Sequence, residues 1–200
     1  MDRDDAVTLN REHLKRMGEV DSKLTEEEQK HLDDLDDDQS EFLAYTMYNL
    51  GQIGLVGGNI LDIGAGNAFR RDLLLEVFKG TYTGIEMIPE VAFAGRRKGI
   101  VHGFIEDLSE SRLGPFEWGF AYHVMEHVRN PRRALEAVHA VLVPGGTYGQ
   151  ATPAEIPDDE PAHITELHSY EWAALLEECG FEVLFSGIHL KSSIVVGRAK

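Results

Sequence analysis

Residues 59–67, Asn-Ile-Leu-Asp-Ile-Gly-Ala-Gly-Asn, constrain the fold more than any other stretch of this chain. The apolar positions Ile60, Leu61 and Ile63 predict a strand covered on both faces, as in a parallel sheet. Gly64 and Gly66 follow at once. Without a Cβ, each lets the backbone turn tightly and approach a ligand. A helix is predicted from Ala68 to Phe78, with Phe69, Leu73, Leu74 and Val77 at helical spacing and Gly80 ending it. Its free N–H groups and positive dipole end face the same spot. Strand, turn and helix N-terminus together predict a small-molecule site.

The alternation continues down the chain. Tyr82-Thr83-Gly84-Ile85 reads as a short strand that delivers Glu86, and Pro89 opens a helix to about Lys98. Further strands are predicted at Ile100 to Ile105, Phe116 to Tyr122 and Thr147 to Ala151. Pro131 opens a helix with Ala134, Leu135, Val138, Val141 and Leu142 at helical spacing, ended by Pro144-Gly145-Gly146. Ser169 is placed to cap a helix to Glu178, with Gly180 as its stop. Phe181 to Ile188 and Ser193 to Val196 are two last strands joined by a short turn. The expected fold is α/β: a Rossmann-like, doubly wound, seven-stranded sheet in a three-layer α/β/α sandwich. It is mostly parallel, and the closing hairpin makes one strand near the C-terminus antiparallel.

Residues 1–55 differ in character. They hold much of the charge, a helix-start pattern at Thr25-Glu26-Glu27-Glu28 and an acidic run at 33–38 that lacks the spacing of a calcium loop. Residues 40–55 read as a helix on the domain edge. The expected division is an N-terminal helical segment at 1–55, a possible lid, and a catalytic domain at 56–200. The formal net charge of −16 argues against a protein that grips duplex nucleic acid. The single Cys179 excludes an intramolecular disulfide and reads as a buried helix end. No apolar run reaches membrane-spanning length, and the acidic N-terminus carries no signal-peptide pattern. A cytoplasmic protein with a small-molecule partner is expected; the sequence leaves its oligomeric state open.

Two ligand classes use a glycine turn after the first strand. Dinucleotides want a third glycine three residues after the second, and Phe69 stands there. An acidic residue about 20 positions on, suited to ribose hydroxyls, is common to both classes, and Glu86 fits. The site therefore favours a nucleoside over a dinucleotide.

With these residues in view, the chain resembles the class I S-adenosylmethionine-dependent methyltransferases over residues 57–198. Residues 60–66 match the family's first motif, and 82–86 its second. Gly103-Phe104-Ile105-Glu106-Asp107-Leu108 is similar to its third. Residues 116–120, His123-Val124-Met125-Glu126-His127-Val128 and Leu142-Val143-Pro144-Gly145-Gly146 are similar to the later ones. Two positions depart: Ala68 stands for a usual glycine, and Phe104 for an acidic residue beside the adenine. The resemblance implies that S-adenosylmethionine is the cofactor and S-adenosylhomocysteine the product. It implies that Asp62, Gly64, Ala65, Gly66 and Asn67 hold the methionine end, Glu86 the ribose, and Met87, Ile105 and Glu106 the adenine.

Methyl transfer from a sulfonium is an in-line displacement, so alignment and exclusion of water dominate. A base is needed only where the acceptor arrives protonated. His123, at the end of the fourth strand, is the candidate catalytic residue, as base or acceptor contact; the plainer reading is a hydrogen bond to cofactor or backbone. The acceptor is expected to be a small molecule methylated on O or N rather than C. His123, Glu126 and His127 at i, i+3 and i+4 also read as ligands for a divalent metal, with His163 or His168 as a fourth. That cluster is similar to the Glu-x-x-Glu-His set of metal-dependent O-methyltransferases, and is the less favoured reading. A non-catalytic module binding the nucleoside is another alternative. The acidic loop 153–162 reads as a substrate rim, and the arginine pairs 70–71, 96–97 and 132–133 as solvated helix faces.

Overall fold

The computed structural model describes residues 57–68, 70–155, 160–189 and 191–200, together with Asp5, Val7, Thr8, Arg11 and Glu12 near the N-terminus. Seven strands form one sheet: β1 Asn59–Ile63, β2 Thr81–Glu86, β3 Ile100–His102, β4 Phe116–Tyr122, β5 Leu142–Pro153, β6 Phe181–His189 and β7 Ser192–Ala199. Four α-helices connect them: α1 Arg71–Phe78, α2 Pro89–Gly95, α3 Pro131–Val141 and α4 Ser169–Glu178. The strand order is β3-β2-β1-β4-β5-β7-β6. β1 to β5 pair in parallel, and β7 runs antiparallel between β5 and β6. This is the expected doubly wound sheet with its single reversed strand.

Alternation along the strands divides the core between the two faces. On one face Ile60, Trp118 and Phe120 pack under α1 through Leu74 and Phe78. On the other, Leu61, Ile63 and Ala121 meet α3 and α4 through Leu135, Val138, Trp172 and Leu176. The order reverses between β1 and β4, whose ends lie side by side through Ile63 and Ala121. Open α/β sheets bind ligands at the carboxyl edge of such a switch point.

Several boundaries differ from expectation. α1 starts at Arg71, because Ala68 has φ 68° and extends the turn. β3 stops at His102, and Ile105–Glu110 forms a 3-10 turn that buries Ile105 and Leu108. β5 begins at Leu142 and absorbs Pro144 to Gly146, with a register shift against Phe116 and Trp118. His168, not Ser169, is the N-cap of α4: its backbone N–H donates to Glu171 Oε2 at 2.8 Å. The predicted helix at 40–55, the acidic run at 33–38 and part of the 153–162 loop lie outside the described residues, so the expected 1–55 segment is represented by a few residues only. Among these, Arg11 meets the Glu90 carboxylate at the start of α2, at 3.1 Å to each oxygen. Among the described residues no helix is long and apolar enough to cross a membrane.

Candidate active site

The glycine turn follows β1 directly. Gly64 has φ 64°, and a Cβ there would come within 2.3 Å of Val124 Cγ2. The N–H groups of Gly64 and Ala65 both donate to the Ile85 carbonyl, at 2.9 and 3.1 Å, so the turn is tied to the end of β2. Glu86 completes the tie. Its Oε2 accepts from the Gly66 N–H at 3.1 Å and its Oε1 from the Ile88 N–H at 2.8 Å. Burial pushes the Glu86 carboxyl up, and the N–H groups of Ile88, Gly66 and Met87 offset this only in part. Each oxygen has a second lone pair beyond its backbone bond, so a vicinal diol has acceptors to meet.

The other predicted cofactor residues sit as follows. Ala65 is buried and Asn67 exposed, with the Asn67 carbonyl accepting from Lys98 Nζ at 3.1 Å. Met87 is half-buried, and its carbonyl lies 3.2 Å from His102 Nε2. Ile105 is buried in the core, and the Glu106 carbonyl accepts from Arg133 Nε at 3.3 Å.

Asp62 is held by neighbours on its own face of the sheet. It is fully buried and points under α1, on the same face as Ile60. Its Oδ1 meets Arg70 Nε at 3.2 Å and Nη2 at 3.1 Å, and its Oδ2 accepts from the Tyr82 hydroxyl at 2.8 Å. Burial, reinforced by Asp62, raises the Tyr82 phenol, which keeps its proton and donates it. The expectation that Arg70 lies on a solvated helix face fails, because it is 7% exposed and reaches back to the Gly64 carbonyl at 2.7 Å. Arg133 is exposed as expected and Arg71 is half-buried, each against a neighbouring carboxylate. Nothing in the sequence pattern marked Arg70 except its place eight residues after Asp62, close enough to fold back across the turn.

His123 directly follows β4 on the other side of the switch point. Its φ of 50° turns the ring out of the strand line, while its N–H holds the Ala151 carbonyl at 2.9 Å. Nδ1 lies 3.1 Å from Glu126 Oε1, and Nε2 lies 3.4 Å from Ser192 Oγ. Ser192 belongs to β7, remote in sequence, and was not anticipated. Glu126 is 2% exposed, and its carboxylate faces the His123 ring. Burial alone would raise this carboxyl, but the His123 bond and the nearby His123 and His127 rings outweigh it and hold it below the usual range.

The expected triad on one helical turn does not form. The left-handed His123 precedes a 3-10 turn, Met125–His127, and so leaves the helical register of Glu126 and His127. Glu126, His127 and His163 come together instead, with ligand atoms all within 4.8 Å of one another. His127 Nδ1 donates to the Ala162 carbonyl at 3.0 Å. That backbone support is usual for a metal-bound imidazole. A cleft of about 10 Å³, enough for one water or ion, is lined by Glu126, Thr152, His163, Thr165 and Glu166. His168 stacks on Tyr170 and does not join the cluster.

Residues 61–148 match the family described as methyltransferase domain. The ubiquinone biosynthesis O-methyltransferase of Xylella fastidiosa strain M23 is 29% identical over 104 residues, 48% of this chain and 42% of that protein. The chain thus spans less than half the length of this curated relative. A SAM-dependent methyltransferase from Aquifex aeolicus superposes with a TM-score of 0.62 at 17% identity, over 76% of this chain and 87% of that one. The [4+2]-cyclase SpnF superposes equally well, TM-score 0.62 at 15% identity, over 78% and 80% of the two chains. At such identities the structural likeness speaks for the fold alone.

Proposed function

We propose that this chain is a class I S-adenosylmethionine-dependent methyltransferase, as its similarities support, and that it transfers a methyl group to the hydroxyl of a small-molecule acceptor. The observation that carries the reading is the Glu86 carboxylate. It is buried at the end of β2, bonded to the Gly66 N–H, and keeps acceptor capacity on both oxygens for a ribose diol. Gly64 to Asn67 would pack along the uncharged middle and amino-acid end of the cofactor, and Met87, Ile105 and Glu106 along its base. The bound cofactor supplies a methyl group on a sulfonium, already a good leaving group. The protein's own task is to place the acceptor oxygen in line with it and to exclude water.

His123 stands where the acceptor would lie, across the switch point from the glycine turn. With Nδ1 on Glu126, its Nε2 is the atom able to take the hydroxyl proton or to orient the hydroxyl through Ser192. Methylation on oxygen accords with the similarity to the Xylella enzyme. Calorimetric titration with S-adenosylmethionine should show one site with NAD inert. Turnover with phenolic acceptors should then separate an enzyme from a module that binds the nucleoside without reaction. A chain that prefers NAD would overturn the reading.

A second reading has its own observation. Glu126, His127 and His163 bring ligand atoms within 4.8 Å of one another, and Glu126 and His163 line a small cleft. These residues fit a divalent cation, which would polarise an acceptor hydroxyl there. Turnover that survives excess EDTA unchanged removes it; loss restored by a divalent ion supports it.

A further inference from the structure

We propose that Arg70 is a positioning residue that lets the glycine turn accept the anionic carboxylate at the amino-acid end of the cofactor; this rests on the methyl-donor reading above. The turn is flanked by two buried carboxylates, Asp62 before it and Glu86 beyond it. A ligand carboxylate brought to this turn would meet two anions in a poorly solvated place. Arg70 changes that balance. Its guanidinium spans Asp62 Oδ1 and the Gly64 carbonyl, and its charge is also felt by Glu86 on the far side. A second cation, Lys98, holds the Asn67 carbonyl at 3.1 Å. The carbonyls at both ends of the turn, each the negative end of a peptide dipole, are thereby engaged by cations.

The spacing explains why an arginine suits the task. The planar fork reaches a carboxylate and a carbonyl from one rigid group, which a lysine ammonium does only as a point charge. Tyr82 holds the second oxygen of Asp62 at 2.8 Å, so the carboxylate that orients Arg70 is itself fixed. A bridge needed only for folding would affect every ligand of the turn alike. A group that conditions the turn for an anion should affect only ligands carrying that anion.

The test compares two nucleosides. S-adenosylhomocysteine carries the amino-acid end; 5′-methylthioadenosine has the same adenosine and thioether without it. By calorimetry, Arg70→Met should bind S-adenosylhomocysteine about tenfold or more weakly, the scale of one charge-assisted contact. The same variant should bind 5′-methylthioadenosine within roughly twofold of the unaltered chain, since it loses no such contact. Arg70→Lys should recover part of the loss. Because Arg70→Met strands Asp62 as an unpaired buried charge, Asp62→Asn/Arg70→Met is measured beside it and should recover most of the S-adenosylhomocysteine affinity, since the carboxylate that Arg70 offsets is then gone. Equal losses for both nucleosides or none in folded Arg70→Met, or a double variant that binds S-adenosylhomocysteine no better than Arg70→Met, overturn the proposal. An unaltered chain that binds neither nucleoside overturns the methyl-donor reading itself, and this inference with it.

Discussion

Glu86 meets two demands at one position. It ties the turn to β2 through the Gly66 N–H and, in the proposed reading, also presents a carboxylate to the ribose. Glu86→Ala should weaken S-adenosylmethionine by roughly 1.5–3 kcal/mol for each ribose bond lost, and an unchanged dissociation constant would mean that the ribose lies elsewhere. Burial raises the carboxyl above its ordinary range, so the folded chain holds that proton more tightly than the unfolded one. The stability this group contributes is full below the unfolded value and is lost as pH rises through the raised folded value. Glu86→Gln should remove that slope from denaturant midpoints measured against pH. Ligand affinity runs the other way: it should fall with decreasing pH sooner than an ordinary glutamate would allow, because the protonated oxygen no longer accepts. Gly64 is the other position with little latitude. Gly64→Ala combines a φ of 64° with a Cβ 2.3 Å from Val124, and should cost about 1–3 kcal/mol by chemical denaturation. Glu86 and Gly64 were both legible in the sequence from spacing and residue type. Arg70 and Ser192 were not, because each acts through a contact that exists only once the chain has folded back.

At the scale of elements, α1 shows what holds the site in place. Phe78 packs on Trp118 at 4.7 Å and on Phe120 at 5.0 Å between ring centres, which pins the end of the helix to the centre of β4. Phe78→Ala opens a void in a region with no exposed surface and should cost about 3–5 kcal/mol in a denaturant titration. A loss below about 1 kcal/mol would mean that the neighbouring side chains collapse into the space, as well-relaxing sites do. The existence and type of α1 followed from apolar spacing, yet its start did not. Ala68 takes a left-handed turn residue's conformation, which a helix propensity does not foresee. β3 shortens for a related reason: the burial of Ile105 and Leu108 is met by a 3-10 turn, and alternation alone does not distinguish that from a longer strand. The His123 triad failed on the same kind of detail. Its spacing is helical, but a single residue with positive φ breaks the register and leaves His163, from a distant loop, to meet Glu126 and His127.

For the whole molecule, the sheet order places the glycine turn and His123 on opposite sides of one switch point, so in the proposed reading a donor on the turn would direct its methyl group toward β4. The long-range field adds a distinction between donor and product. The chain carries a formal charge of −16. S-adenosylmethionine is a net cation through its sulfonium, and S-adenosylhomocysteine is net neutral with the same contacts otherwise. A strongly negative molecule should therefore hold the donor more tightly than the product, and part of that preference should be long-range and screened by salt. Calorimetry from about 10 mM to 0.5 M NaCl spans Debye lengths from roughly 30 Å to only a few ångströms. The ratio of the two dissociation constants should shrink several-fold across that range, with most of the change on the donor. A ratio independent of salt would place the discrimination entirely in short-range contacts with the sulfonium. The charge of the chain would then affect solubility but not product release.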